Sequence, residues 1–84
     1  MSFKENNMVT GLVLVKLVPG KEKQTLGRLK ALASVVHMSA VFGRWDLVLD
    51  METDDLPMLS NIVVREIRGI PGVLSTETLV TTSL

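Results

Sequence analysis

The chain has 84 residues, and its nine lysines and arginines balance nine aspartates and glutamates, so the formal net charge is zero. That balance gives no general attraction for nucleic acid or an anionic membrane, and the lack of cysteine excludes disulfides, thiolate metal sites and thiol catalysis. Hydrophobic residues still make up 46% of the chain, a high share for a domain whose size lets it bury only about 60% of its unfolded surface alone.

One domain over residues 1–84 is expected, with residues 1–7 as a polar tail and residues 8–82 as the folded part. The opening MSFKENN lacks the apolar core of a secretion signal. No apolar run approaches the roughly 18 residues of a membrane span, so the cytoplasm is the expected compartment and no membrane partner is expected. Residues 8–18, MVTGLVLVKLV, are rich in β-branched residues and predict a strand that Pro19-Gly20 ends. From Lys21 to about Ser34, Leu26, Leu29, Leu32 and Ala33 recur at three- and four-residue spacing, which predicts an amphipathic helix. Gly27 weakens that helix by up to about 1 kcal/mol without overturning it. Residues 35–42 return to strand composition, Gly43 and its neighbours form a turn, and residues 46–53 read as the partner strand. Asp54 is a plausible N-cap for a second helix with Pro57 in its first turn and Leu56, Leu59, Val63 and Ile67 as its stripe. Arg65 and Arg68 suit the helix C-terminus, Gly69 offers a left-handed stop, and Ile70-Pro71-Gly72 turns the chain into a last strand over residues 73–82.

The order strand, helix, strand, strand, helix, strand matches the ferredoxin-like βαββαβ arrangement of the α+β class. It implies a four-stranded antiparallel sheet with two helices on one face. The other face should then alternate with polar residues if water covers it. The first strand does not comply: Val9, Val13, Val15 and Leu17 share one face, while Met8, Leu12, Leu14 and Val18 share the other. In the second strand Val36, Met38, Ala40 and Phe42 stand opposite Val35 and Val41. Both faces read as buried, and a second copy of the chain is the simplest cover, giving a dimeric, α/β-barrel-like pairing of sheets.

Catalysis finds little support. His37 is the only histidine, with Ser39 on the same strand face, and no orienting acid is visible in the sequence. One histidine among scattered carboxylates makes no metal site, and no glycine pattern cradles a phosphate, so no catalytic residue, metal or cofactor is assigned. No helix-turn-helix, basic stripe or aromatic platform is present, so direct nucleic-acid recognition is not expected. The turn "FGRWD" is more suggestive. Gly43 permits positive φ and close backbone approach, Asp46 can accept from an ammonium group, and Trp45 can wall an apolar surface. Those parts suit a free amino acid. Sequence chemistry alone favours the plainer reading, a turn in which Asp46 bonds its own backbone and Trp45 fills a subunit interface. The last strand adds Ser75, Thr76 and Thr78, with Thr76 and Thr78 on one face beside Leu74 and Val80 as a possible pocket rim.

These pieces together resemble the effector (RAM) domain of the Lrp/AsnC feast/famine transcription regulators. In that family a glycine–any–aromatic–aspartate turn leads into the third strand, and a basic–x–x–Pro-Gly-Val segment precedes a final strand with a serine–threonine start. Here those are Gly43, Trp45 and Asp46, then Pro71-Gly72-Val73, then Ser75, Thr76 and Thr78, in a resemblance spanning residues 9–80. It implies homodimers assembled into tetramers, octamers or rings, with amino acids or related metabolites bound at subunit interfaces. The binding residues it implies are Gly43, Trp45 and Asp46, with Ser75, Thr76 and Thr78; Arg44 occupies a variable position of the turn, where a role in selecting the ligand side chain is open. Family regulators usually carry an N-terminal helix-turn-helix domain, whereas only a short polar segment precedes the first strand here. The sequence therefore resembles a stand-alone effector module that senses an amino acid and acts through a full-length regulator by mixed assembly. A small dimeric α/β-barrel oxygenase or isomerase is the enzymatic alternative, because that architecture also pairs ferredoxin-like sheets. A ligand-free assembly partner is the third reading.

Overall fold

A computed structural model describes residues 8–80 of the chain. Its elements run β1 (Val9–Leu17), α1 (Glu22–Lys30), β2 (Val35–Ala40), β3 (Leu47–Thr53), α2 (Leu56–Ile62) with a π-helical turn (Val63–Ile67), and β4 (Val73–Val80). The strands form one antiparallel sheet in the order β2-β3-β1-β4, as the ferredoxin-like expectation requires. Strand boundaries fall within two or three residues of those expected. The proposed tail, residues 1–7, and the end of the last strand lie outside the described residues.

Register explains which side chains enter the core. Val13 pairs with Leu49 and Val15 with Leu47, and all four are buried beneath the helices. Leu29 of α1, and Leu59, Ile62, Val63 and Ile67 of the second helical segment, close over them. Each such side chain contributes about 1.5–3 kcal/mol of transfer free energy. Gly72, in the Pro-Gly-Val segment, lies so close to α1 that an added Cβ would run into the Thr25 side chain. The glycine there serves close packing between the last loop and the first helix.

Several local expectations change. The cap of α2 is Asp55, not Asp54: its Oδ1 accepts from the Met58 N–H at 2.8 Å, with Asp55 in extended backbone. Leu56, expected in the buried stripe, is 50% exposed, and Ile62 takes a core place instead. The π turn, closed by Arg68 N–H donating to Val63 O at 2.9 Å, lets Ile62 and Ile67 both face the core. Gly69 is not a left-handed stop; among the described glycines only Gly20 and Gly43 have positive φ. Its small size matters for another reason, since a Cβ would meet Arg65 O at 2.8 Å.

Bulges redistribute the faces. An irregularity between Val35 and His37 puts Val35, Met38 and Ala40 opposite Met51, Leu49 and Leu47, all on the helix side. Met38 and Ala40 therefore share a face with Val35, contrary to simple alternation. A second irregularity at Lys16/Leu17 sets Val73 opposite Leu17 and Ser75 opposite Lys16, so Leu74 leaves the face of Thr76 and Thr78. The sheet face away from the helices is less uniformly apolar than expected. Leu12, Leu14, Val48 and Leu79 form an apolar strip there, flanked by Lys16, His37, Asp50 and Glu77.

Candidate functional site

The β2–β3 turn owes its shape to Gly43, whose φ of 122° is closed to residues with a Cβ. Phe42, Gly43 and Arg44 are exposed, while Trp45 and Asp46 are half-buried. Asp46 holds the turn to the sheet three times over. Its N–H donates to Val15 O at 2.9 Å, and its carbonyl accepts from Val41 N–H at 3.0 Å. Its carboxylate oxygen Oδ2 accepts from Leu17 N–H at 2.8 Å. Past Val15 the β1–β3 ladder has run out, so the side chain supplies the acceptor that backbone no longer offers. Lys16 Nζ stands 4.0 Å from the same oxygen. The backbone-bonding alternative for Asp46 is thus realised within the chain, with no partner for Oδ1 among the described residues.

The hydroxyls of β4 divide. Thr76 and Thr78 stand opposite Val15 and Val13 on the helix side, whereas Ser75 stands beside Lys16 on the other face. Thr76 and Thr78 line a groove of about 400 Å³ between β4 and the second helical segment. Leu56, Val63 and Val64 supply its apolar wall, and Ser60 and Arg68 add polar groups. Arg68 takes part in no ion pair among the described residues. A guanidinium, three hydroxyls and an aliphatic wall suit a carboxylate that carries an apolar substituent. Among the described residues no carboxylate lines the groove, so an ammonium group placed there finds no counter-charge among them.

The two halves of the expected site are not joined within one chain. Asp46 lines a separate cleft of about 280 Å³ with Lys16, Leu17, Glu22 and Leu74, and Gly43, Arg44, Trp45 and Ser75 line neither space. Sequence reasoning missed Arg68, Ser60 and Val64 as groove residues. A signal for Arg68 was present, since it is the basic residue three positions before Pro71-Gly72-Val73. The acid that the sequence did not reveal beside His37 is Asp50. Asp50 lies opposite it across the β2–β3 ladder, with His37 Nδ1 3.4 Å from Asp50 Oδ2 and 3.4 Å from Ser39 Oγ. The cluster is exposed on an open sheet face, with no enclosed space over it for a substrate. Among the described residues no group of three or more His, Asp or Glu side chains converges as metal ligands. No described helix is long and apolar enough to cross a membrane.

Comparison with known proteins identifies the family of the chain as a whole. The family model described as the Lrp/AsnC ligand binding domain matches residues 10–83. An uncharacterized HTH-type transcriptional regulator of Pyrococcus horikoshii, PH0140, is 28% identical over 82 residues. That match covers 98% of this chain and 52% of the regulator, so the chain spans about half the length of this curated relative. The crystal structure of FFRP-DM1 superposes with a TM-score of 0.83 at 31% identity, covering 88% of this chain and 99% of that one. The Neisseria meningitidis transcriptional regulator NMB0573, solved as an L-Met complex, has the same fold at a TM-score of 0.83. It is 16% identical, and the match covers 89% of this chain and 50% of that one. With the fold, the glycine–x–aromatic–aspartate turn and the Pro-Gly-Val segment in the places described, this chain belongs to the Lrp/AsnC ligand-binding domain family.

Proposed function

We propose that the chain is a non-enzymatic regulatory module that holds a free amino acid, or a closely related metabolite, where two copies of the chain meet. The observation that carries this reading is the composition of the α2–β4 groove. It offers Arg68, Thr76 and Thr78 to a carboxylate and an aliphatic wall to a side chain but, among the described residues, no carboxylate to an ammonium group. The β2–β3 turn of a neighbouring copy has the missing group in Asp46, whose second carboxylate oxygen has no partner among the described residues and whose turn is opened by Gly43. Trp45 and Arg44 of that turn flank the ligand, and Ser75 stays outside the groove on the other sheet face. The L-Met complex of the Neisseria regulator supports an amino acid as the ligand class. The regulators among its relatives support a role in the control of transcription, exerted through mixed assembly with a full-length regulator of the family.

Calorimetry against the twenty amino acids tests the reading. Binding is expected for members with aliphatic or thioether side chains, and Arg68→Gln is expected to weaken it at least tenfold by removing a charge-assisted, bidentate contact. Silence across all twenty, with the assembly intact, would sink the proposal. The exposed His37–Asp50–Ser39 cluster gives the enzymatic alternative no enclosed site, and no observation favours it.

A further inference from the structure

His37 reaches Asp50 only because β2 carries one extra residue. Regular pairing onward from Val35 opposite Met51 would set Val36 beside Asp50 and turn His37 toward the helices, opposite Leu49. The irregularity after Val35 shifts the register by one, so His37 stands opposite Asp50 on the open sheet face. The same shift brings Met38 to the core side, which accounts for the backbone but not for the choice of histidine. His37 keeps 66% of its side chain exposed, so burial does not account for it either.

The separation of the two side chains is that of two ligands on one ion. His37 Nδ1 lies 3.4 Å from Asp50 Oδ2, whereas a closed charge-assisted hydrogen bond measures about 2.7–2.9 Å. Two donors that each stand about 2.0–2.1 Å from a tetrahedral zinc ion are about 3.4 Å apart. Ser39 Oγ, also 3.4 Å from Nδ1, flanks the ring without closing on that nitrogen. A third donor is near. Glu52 pairs with Thr10 as Asp50 pairs with Leu12, so both acids project from the open face. Its N–H donates to Ser34 O at 3.0 Å, which holds it beside the entry to β2. Residues two apart in a strand are about 7 Å apart, and rotation about the glutamate's own side-chain bonds spans the remaining gap.

We propose that His37 Nδ1 and Asp50, joined by Glu52, bind one divalent ion of the zinc type at the β2–β3 side of the open sheet face, with water completing its coordination. One imidazole and two carboxylates favour a late first-row ion over magnesium or calcium, which take shells of oxygen alone. The two charges of the ion cancel those of Asp50 and Glu52, which otherwise repel each other along one strand. The site shares no residue with the α2–β4 groove or the β2–β3 turn, and it needs no amino acid to form.

His37 is the only histidine of the chain, so a sample without a histidine tag gives a single set of imidazole signals in proton–nitrogen spectra. Zinc chloride is expected to saturate at one ion per chain and to move the Nδ1 signal far more than Nε2. Magnesium chloride at the same concentration is expected to leave both in place. Asp50→Asn and Glu52→Gln preserve shape, and each is expected to weaken zinc binding at least about tenfold. Amide spectra of the metal-free variants that match the wild-type chain establish that lost binding is not lost folding. No saturation below about 1 mM zinc overturns the proposal. Affinity unchanged in Asp50→Asn also overturns it, leaving adventitious binding by a lone histidine. Affinity unchanged in Glu52→Gln, or a shift confined to Nε2, rejects the site as assigned. Run without amino acids, the titration is independent of calorimetry: its failure leaves the metabolite reading standing, and calorimetric silence leaves the zinc site standing.

Discussion

Asp46 shows how one residue can serve a fold and a site at once. Its Oδ2 completes a hydrogen bond to Leu17 N–H, 29 residues away, that no backbone acceptor supplies. Replacing it with alanine strands that N–H at the end of a ladder, and a loss of about 2 kcal/mol is expected in urea denaturation, in line with a hydrogen bond to a charged acceptor. Asn retains an acceptor oxygen, so Asp46→Asn should lose about 1 kcal/mol or less while removing the charge offered to an ammonium group. The pair of variants separates stability from affinity: ligand binding that survives Asp46→Asn undiminished would mean the carboxylate serves only the turn. Gly43 is simpler. At φ 122° an alanine is strained whatever the space around it, and Gly43→Ala is expected to cost on the order of 1–3 kcal/mol by the same measurement. The glycine was legible in the sequence, and so was the aspartate, but the identity of its acceptor-seeking partner was not.

At the scale of elements, the second helical segment is the instructive one. Its hydrophobic spacing predicts a helix through Ile67, and the chain is helical there, yet the segment widens into a π turn from Val63 to Ile67. The widening matters for the groove because Val64 and Arg68, on or just past the turn, both line it. Its start is set by Asp55, whose side chain takes the Met58 N–H. Asp55→Ala should therefore cost about 1 kcal/mol of stability, while Asp54→Ala should change stability by less than about 0.5 kcal/mol. Chemical denaturation of the two variants side by side decides between the neighbours. The sequence offered two adjacent aspartates before the same proline, and composition has no means of choosing. The choice depends on where the chain leaves β3, with Thr53 Oγ1 already donating to Asp55 O at 2.8 Å.

For the whole molecule, the open sheet face is the question. Leu12, Leu14, Val48 and Leu79 form a strip that the helices do not cover, and Leu14 pairs across the ladder with Glu77. Leu14→Lys puts a cation opposite that acid, so the fold gains a cross-strand pair while the strip is broken. Analytical ultracentrifugation is expected to show smaller particles for this variant than for the wild-type chain. No change would mean that the sheet face is not where copies meet.

The sequence by itself determined the order of elements, their periods and the punctuation between them. Those follow from forces acting over a few residues: β-branched runs, three- and four-residue apolar spacing, and glycine and proline at the turns. It also carried the family pattern in the turn and in the Pro-Gly-Val segment. Only the tertiary structure decided the rest. The irregularities at Val35/His37 and Lys16/Leu17 choose which side chains share a face, and they arise from the register between paired strands, the β2–β3 hairpin in the first case and the distant β1 and β4 in the second. The pairing of His37 with Asp50, the bond from Leu17 to Asp46, and the meeting of Arg68 with Thr76 and Thr78 have the same origin. Local periodicity carries no information about the register at which strands pair, so those contacts became visible only once the sheet was assembled.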